Sequence, residues 1–189
     1  MLLDFLVISI AVGLVRRGSI KKLAELPIKK IELIFFSFGI RYIPLLLNVR
    51  QIEIPQWGYL LITIASYLIL IYAIISNLHI KNMWIVGIGI LLNFLVIIAN
   101  NGQMPVSIWA VEIANLYDFK PLLFDPEYIY HTAVNAETTL NFLADIFPLP
   151  PPYPRPRVFS IGVLAMGIGM FLIIKRTMLK NDVPSDRII

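Results

Sequence analysis

Four long apolar runs constrain the fold of this chain more than any other feature. They cover residues 31–47, 57–75, 83–99 and 158–174, and 58% of the 189 residues are hydrophobic. A helix needs about 20 apolar residues to cross a hydrocarbon core of about 30 Å, with about 17 to 25 tolerated. Because backbone groups in lipid must bond within their own segment, each run predicts a transmembrane helix.

A fifth, shorter apolar run covers residues 2–15. A cleaved signal peptide places positive charge before its apolar run, whereas here the acidic Asp4 comes first and Arg16 and Arg17 follow. We therefore expect an uncleaved span that thins the bilayer locally or relies on flanking residues that snorkel. The expected fold is an all-α integral membrane protein with about five spans, forming one membrane domain over residues 1–189.

The basic residues predict how the chain is threaded. With the N-terminus outside, most of the 16 Lys and Arg residues fall on the cytoplasmic side, as short loops in bacterial plasma-membrane proteins require. This distribution explains the net charge of +4 better than nucleic-acid binding does. The expected cytoplasmic residues are Arg16, Arg17, Lys21, Lys22, Lys29, Lys30, Lys81, Lys175, Arg176, Lys180 and Arg187.

A short interfacial helix is expected between the first two spans. Ser19 can cap it, and Ile20, Leu23 and Ala24 share one apolar face. The basic residues beside it, Arg16, Arg17, Lys21 and Lys22, serve as a topology anchor or bind anionic lipid.

Residues 100–157 form the extracytoplasmic region, which we expect to be a partly helical cap. Ser107 predicts a helix through Leu116, and Asn135 predicts a second helix over about residues 136–146. Six prolines between residues 148 and 156 predict a stiff polyproline connection into the last span.

Residues 100–107 join the fourth predicted span to this cap. Asn and Gly favour the left-handed conformation that ends a helix, and Pro105 forbids its continuation. The composition is therefore typical of a helix stop and a tight turn. The functional alternative is that Asn101 and Gln103 offer amide groups to a ligand.

Arg41 and Asn93 are polar residues inside predicted spans. A charge at mid-bilayer costs about 2.5–3.5 kcal/mol on insertion scales, so Arg41 is a candidate for binding an anion such as phosphate or carboxylate. The alternative is that Arg41 snorkels to the outer surface. Asn93 is expected to form an interhelical hydrogen bond.

The remaining chemistry is limited by composition. The absence of cysteine excludes disulfides, iron–sulfur clusters, covalent haem and thiol catalysis. His131 and Asp145 are candidates for an outer acid–base or ligand site, but no HExxH pattern or tight ligand spacing supports a metal. We expect no cofactor, no metal and no catalytic residues.

Small residues on two predicted spans allow close helix approach. Gly162, Ala165 and Gly169 lie on the last span, and Gly87 and Gly89 lie on the fourth. They pack helices within the monomer or against a partner subunit, and the sequence does not separate the two.

Several short elements resemble a known family. They are Asn100-x-Gly102-x-Met104-Pro105-Val106, His131, Glu137-Thr138-Thr139-Leu140, Leu143-x-Asp145-x-x-Pro148 and Arg17-Gly18. Together they resemble the small bacterial membrane proteins grouped as domain of unknown function 5317. The resemblance implies five helices in the plasma membrane and an outer cap, and it implies no activity. The chain departs from the family pattern at Ala144-Asp145, where Gly-Asp is typical.

Two functions are compatible with these observations. The first is a non-enzymatic accessory subunit or assembly factor of a larger membrane complex. The alternative is a lipid- or small-molecule-binding protein in which Arg41, Asn93, Asn101, Gln103 and His131 line an outward-facing site.

Overall fold

The apolar runs form helices in the computed structural model, which describes residues 1–52 and 54–179. In this part of the chain, two helices are long and apolar enough to cross a membrane: Gln56–Ser76 (21 residues, mean hydropathy 2.2) and Ile161–Met178 (18 residues, mean hydropathy 1.7). The helices Leu2–Val15 and Met83–Ala99 are apolar but shorter. The helices are α1 (Leu2–Val15), α2 (Ile31–Arg41), α3 (Ile43–Val49), α4 (Gln56–Ser76), α5 (Met83–Ala99), α6 (Ile108–Ile113) and α7 (Ile161–Met178).

The run over residues 31–47, predicted as one helix, instead forms α2 and α3 with a turn at Tyr42. Pro44 has no N–H and cannot donate to the carbonyl one turn earlier, and it disfavours helical backbone at the residue before it. Proline is tolerated in the first turn of a helix, so α3 begins beside it.

The long helices pack in the order α1, α7, α5, α4, α2. A Cβ on Gly167 of α7 would overlap the ring of Phe5, and a Cβ on Gly13 of α1 would overlap the side chain of Met178. Helices α1 and α7 therefore run parallel. The neighbours α7 and α5, α5 and α4, and α4 and α2 run antiparallel, so the five long segments alternate in direction along the chain.

The core lies where α4, α5 and α7 meet, around the buried residues Ile74, Ile80, Met83, Ile90 and Ile173.

At one end of the bundle lies the cap, residues 100–159. At the other end, a 3-10 helix (Ile20–Glu25) packs on the end of α7, where the Ser19 N–H donates to the Met178 carbonyl. Lys180 and Arg187 lie outside the described residues.

The cap contains strands as well as helices, so the all-α expectation is wrong for this part of the chain. Strand β1 (Met104–Val106) pairs in parallel with β2 (His131–Ala133). On the opposite edge of β1, Val106 forms a parallel bridge with Asp145. A second small sheet pairs β3 (Phe147–Leu149) with β4 (Arg157–Phe159) in antiparallel orientation.

The first expected cap helix forms, and the second does not. Ser107 caps α6 by accepting from the Ala110 N–H, and α6 ends earlier than predicted because Asn115 is left-handed (φ 55°). Between residues 136 and 146 there is only a 3-10 helix, Asn141–Leu143. The Asn135 carboxamide oxygen accepts from the backbone N–H groups of Glu137 and Thr138 and so forms a local turn instead of a helix. The N–H of the following residue, Thr139, donates to the Asn100 side chain.

The prediction of an extended polyproline connection is also wrong, because the chain folds back on itself here and the two ends of this segment pair as the β3–β4 hairpin. Pro148 lies opposite Val158, between the pairs Phe147–Phe159 and Leu149–Arg157. Antiparallel strands alternate between residue pairs that are hydrogen-bonded and pairs that are not. Because proline has no backbone N–H to donate, it suits a pair that is not hydrogen-bonded.

Candidate functional site

The segment over residues 100–107 ends α5 and continues as the central strand of the cap. Asn101 (φ 54°) and Gly102 (φ 92°) are left-handed, and the Gly102 N–H donates to the Ile97 carbonyl (2.8 Å). This confirms the predicted helix stop. A Cβ on Gly102 would come within 3.1 Å of the Tyr59 ring, so the turn lies directly against α4.

Asn100, rather than Asn101, carries the contacts that fix this turn. Its buried Nδ2 donates to the carbonyls of Val96 (2.7 Å) and Thr139 (2.9 Å), and its Oδ1 accepts from the Thr139 N–H (2.9 Å). The side chain thereby ties the end of α5 to a cap segment 39 residues later. Sequence reasoning missed this role because Asn100 also suits a simple helix stop.

Asn101 and Gln103 do not form a joint ligand site. The Asn101 side chain is exposed, and its backbone carbonyl accepts from Gln56 Nε2 (2.8 Å). Gln103 Nε2 donates to the Tyr128 carbonyl (2.9 Å), which fixes the segment before β2. Gln103 also lines an open groove of about 360 Å³ together with His131.

Strand β1 brings together cap residues that are far apart in sequence. The Met104 N–H donates to the Tyr130 carbonyl, and the Asp145 N–H donates to the Pro105 carbonyl (2.9 Å). His131 and Asp145 therefore flank the same strand, directly above the ends of α2 and α4.

Beneath them, the helices contribute a charged residue and several hydroxyl groups. The Arg41 guanidinium, at the end of α2, lies 5.3 Å from the centre of the Tyr67 ring, and among the described residues no carboxylate lies within ion-pair distance of it. We call Arg41, Tyr59, Thr63, Tyr67, His131 and Asp145 the outer polar cluster.

Two hydroxyl groups of the cluster have no hydrogen-bond partner in the described part of the chain. The side chains of Tyr59 and Thr63, one turn apart on α4, are 1% and 0% exposed. Thr63 and Arg41 are polar neighbours of the Tyr59 hydroxyl, yet neither meets it in hydrogen-bond geometry. A buried polar group without a partner costs about 1–3 kcal/mol, so these groups are an unusual feature of a core.

The Asp145 carboxyl has a pKa close to neutral pH. Burial raises its pKa from 3.8 to about 7, because a low-dielectric surrounding disfavours the charged form. Its Oδ1 is enclosed and accepts no hydrogen bond. The Tyr67 phenol interacts electrostatically with both Arg41 and Asp145.

His131 is held in its neutral form. Burial and the nearby charge of Arg41 lower the pKa of His131 from 6.5 to about 4. Its Nδ1 is 3.1 Å from the Tyr128 hydroxyl, and the two rings stack with centres 5.8 Å apart. Tyr130 extends this aromatic wall to Tyr59, edge to face at 5.8 Å.

Asn93 lies outside the outer polar cluster. Its buried Oδ1 accepts from the Ser160 hydroxyl (2.8 Å), and that hydroxyl also accepts from the Val163 N–H at the start of α7 (3.1 Å). Asn93 thus joins α5 to the first turn of α7, which is the interhelical role expected from its sequence context.

The predicted small residues lie at helix contacts within the monomer. A Cβ on Gly162 would overlap the Asn93 carboxamide, and one on Gly169 would come within 2.7 Å of Val86 on α5. Ala165 is half-buried on α7. Gly87 faces Ile74 of α4 and lines an apolar groove of about 260 Å³.

Gly89 is the second small residue expected on the fourth predicted span. A Cβ on Gly89 would overlap the Gly162 carbonyl, so the two glycines let α5 and α7 approach closely.

The basic residues at the first predicted inner segment lie at the end of the bundle opposite the cap. Gly18 packs on the backbone of Met178, which places Arg16, Arg17, Lys21 and Lys22 near the end of α7. The outer polar cluster therefore does not include them.

The chain is thus a mostly helical protein with two helices able to cross a membrane and a polar cluster beneath a small cap. It belongs to the family of unknown function DUF5317, whose model matches residues 25–175. It is also similar to an uncharacterized protein of Thermotoga maritima, with 27% identity over 173 residues, which cover 91% of this chain and 89% of the relative. No solved structure matches the chain. The matched region contains the whole outer polar cluster.

Proposed function

We propose that this chain is a five-pass protein of the bacterial plasma membrane whose outer polar cluster binds the anionic group of a lipid or small molecule. The observation that carries the proposal is the placement of Arg41, which has no carboxylate partner among the described residues, near the Tyr59 hydroxyl, which together with that of Thr63 is buried without a hydrogen-bond partner there. The argument has three parts: the membrane setting, the chemistry of the cluster and its access.

Membrane embedding is supported by the outer surface of the bundle. Large apolar side chains are exposed along the helices, among them Phe35 (69%), Leu61 (55%) and Ile75 (58%). An apolar surface this extensive is costly in water and suits lipid. The alternating helix directions fit five crossings, with α1 and the broken α2–α3 segment crossing where the bilayer thins.

The orientation we propose follows from charge. Basic residues concentrate at the end opposite the cap, while acidic residues such as Glu112, Asp118 and Glu127 lie in the cap. Asp4, near the start of α1, forms an ion pair with Arg157 of the cap (3.2 Å), so α1 starts at the cap end. The positive-inside rule then places the cap outside, with the C-terminal end of α7 in the cytoplasm.

The outer polar cluster has the chemistry to bind an anion. An unpaired guanidinium near lipid is unfavourable, and a bound carboxylate or phosphate would supply its counter-charge and two acceptor positions. The Tyr59 and Thr63 hydroxyls can each donate one hydrogen bond to the same ligand. A ligand would thereby give Arg41 a counter-charge and the two hydroxyls a hydrogen-bond partner, which the described residues do not supply.

Two open grooves lie at the margin of the cap, and His131 of the outer polar cluster lines one of them. One is the groove of about 360 Å³ beside Gln103 and His131, and the other, of about 510 Å³, lies between the α3–α4 loop and the cap, beside Gln51 and Glu127. Both volumes fall in the range of small-molecule sites, about 300–1,000 Å³.

The test compares Arg41→Leu with the wild-type protein purified from its native membrane. We expect mass spectrometry of extracted small molecules and lipids to find an anionic species enriched on the wild type and lost from the variant. Added inorganic phosphate or decanoate, as probes for the two anion types, should raise the melting temperature of wild type and leave that of Arg41→Leu unchanged.

Arg50→Leu is the matched control, because Arg50 is an exposed cation at the same end of the bundle. It should retain the ligand and the response to the probes. Equal behaviour of Arg41→Leu, Arg50→Leu and wild type in both measurements would contradict the proposal.

A second candidate function is an accessory subunit or assembly factor of a membrane complex. It is favoured by α2, which packs on α4 alone among the long helices and exposes Phe35, Phe36 and Phe38, with open space beside Gly39. Native purification in mild detergent tests it. Migration only as a lone protomer, with no co-purifying subunit, would count against this role.

A further inference from the structure

We propose a second binding site, for the headgroup of an anionic phospholipid, at the end of the bundle opposite the cap. The site is a cleft of about 290 Å³, which we call the inner cleft. It lies between the segment before α2, the α4–α5 turn and the last turns of α7. Its lining includes Leu26, His79, Ile80, Lys81, Ile173 and Arg176.

The inner cleft combines a basic rim with an apolar floor. Lys81 and Arg176 are exposed at the rim, and among the described residues neither has a carboxylate within 4 Å. Ile80 and Ile173, each 8% exposed, form the floor and belong to the helix core. Within residues 1–52 and 54–179, no acidic residue lines the cleft. A phosphate headgroup matches the rim, and the first carbons of its glyceride match the floor.

Hydrogen bonds hold the walls of the inner cleft in place. The buried Asn77 carboxamide accepts from the Lys29 N–H and donates to the Lys29 carbonyl, both at 2.7 Å. His79 Nε2 donates to the Pro27 carbonyl (3.0 Å). These bonds join the α4–α5 turn to the segment before α2, so a ligand would meet a formed site and lose little affinity to ordering the chain.

The occupant follows from charge and position. In the orientation proposed above, the inner cleft faces the cytoplasmic leaflet, where anionic lipids concentrate and attract Lys and Arg side chains. This inference rests on that orientation and is independent of the outer polar cluster. It differs from a diffuse basic anchor because two cations converge on one cleft.

Native mass spectrometry tests the site on the full chain released from vesicles of phosphatidylcholine doped with phosphatidylglycerol. We expect wild type to retain phosphatidylglycerol and the double variant Lys81→Gln, Arg176→Gln to lose roughly 30-fold in its retention, the combined effect of two basic residues at an anionic surface. Lys29→Gln with Lys30→Gln removes the same charge from two exposed side chains at the same end, neither of which lines the cleft, and should retain the lipid. Equal loss from both double variants, or no loss from either, would overturn the proposal.

Two further measurements keep the test decisive. The variant Lys81→Arg, Arg176→Lys keeps both charges and should retain the lipid, which separates loss of charge from misfolding. Soluble glycerol 3-phosphate at excess should not displace the lipid, because it lacks the acyl chains. Displacement by glycerol 3-phosphate would identify a site for free phosphate esters and would refute the lipid as occupant.

Discussion

The buried hydroxyls of Tyr59 and Thr63 predict opposite effects on stability and on binding. Replacing a buried, unpartnered hydroxyl by an apolar group removes a cost of about 1–3 kcal/mol. We therefore expect Tyr59→Phe and Thr63→Val to raise the melting temperature of the ligand-free protein and to reduce enrichment of the anionic ligand. Ser76→Ala is the control, because the Ser76 hydroxyl is bonded within its own helix. Lower stability of both variants would show that the hydroxyls have partners.

The Asp145 carboxyl predicts a pH dependence of stability with a defined sign. Its folded pKa, about 7, lies above the ordinary value of 3.8, so the folded chain holds its proton more tightly than the unfolded chain. Stability is therefore lost as pH rises from about 4 to 7 and stays at the lower level above that window. The melting temperature of Asp145→Asn minus that of wild type should rise across this window and then remain constant. A constant difference from pH 4 to 8 would contradict the raised pKa.

The residues of the outer polar cluster were only partly predictable. Arg41, His131 and Asp145 stand out by type, since charged and titratable groups are rare in this chain. Tyr59, Thr63 and Tyr67 were missed because they lie inside an apolar run. Their spacing of four residues places them on one face of α4, and this polar stripe was the available signal.

At the scale of elements, Asn100 controls how the cap is attached to α5. Its three hydrogen bonds predict that Asn100→Ala destabilises the cap by about 2–4 kcal/mol, from lost bonds and from the Thr139 groups left unpaired. Limited proteolysis should then cleave within residues 107–145 at a higher rate. Asn101→Gly is the matched control, because its side chain is exposed and its left-handed backbone suits glycine. The same protease sensitivity in both variants would refute the role of Asn100.

Helix positions were predictable and cap structure was not, for one physical reason. A helix bonds within its own segment, so an apolar run is enough to indicate it. The cap depends on pairs distant in sequence, such as Val106 with Asp145, which local capping signals do not report. The break between α2 and α3 could have been predicted from the sequence, because a proline such as Pro44 within an apolar run interrupts a helix.

For the whole molecule, the proposed orientation predicts which surfaces are accessible from outside the cell. The chain has no cysteine, so single cysteines can be introduced without background. A membrane-impermeant maleimide should label Glu137→Cys, in the cap, on intact cells. It should label Lys21→Cys, at the opposite end, only after permeabilisation. The reverse pattern would invert the orientation and would move the inner cleft to the outer leaflet.

The packing of α1 against α7 has a consequence for the order in which the protein is made. Among the described elements, α7 is the only substantial neighbour of α1, and α7 also packs on α5. Helix α1 leaves the ribosome first among these helices and must wait for its partner until Met178 has been synthesised. In the membrane setting proposed above, exposed apolar residues on several faces, including Leu3, Val7, Ile8 and Leu14, would let α1 remain in lipid without a partner helix. Helix α7, made last, would then complete the bundle by packing on α1 and on α5.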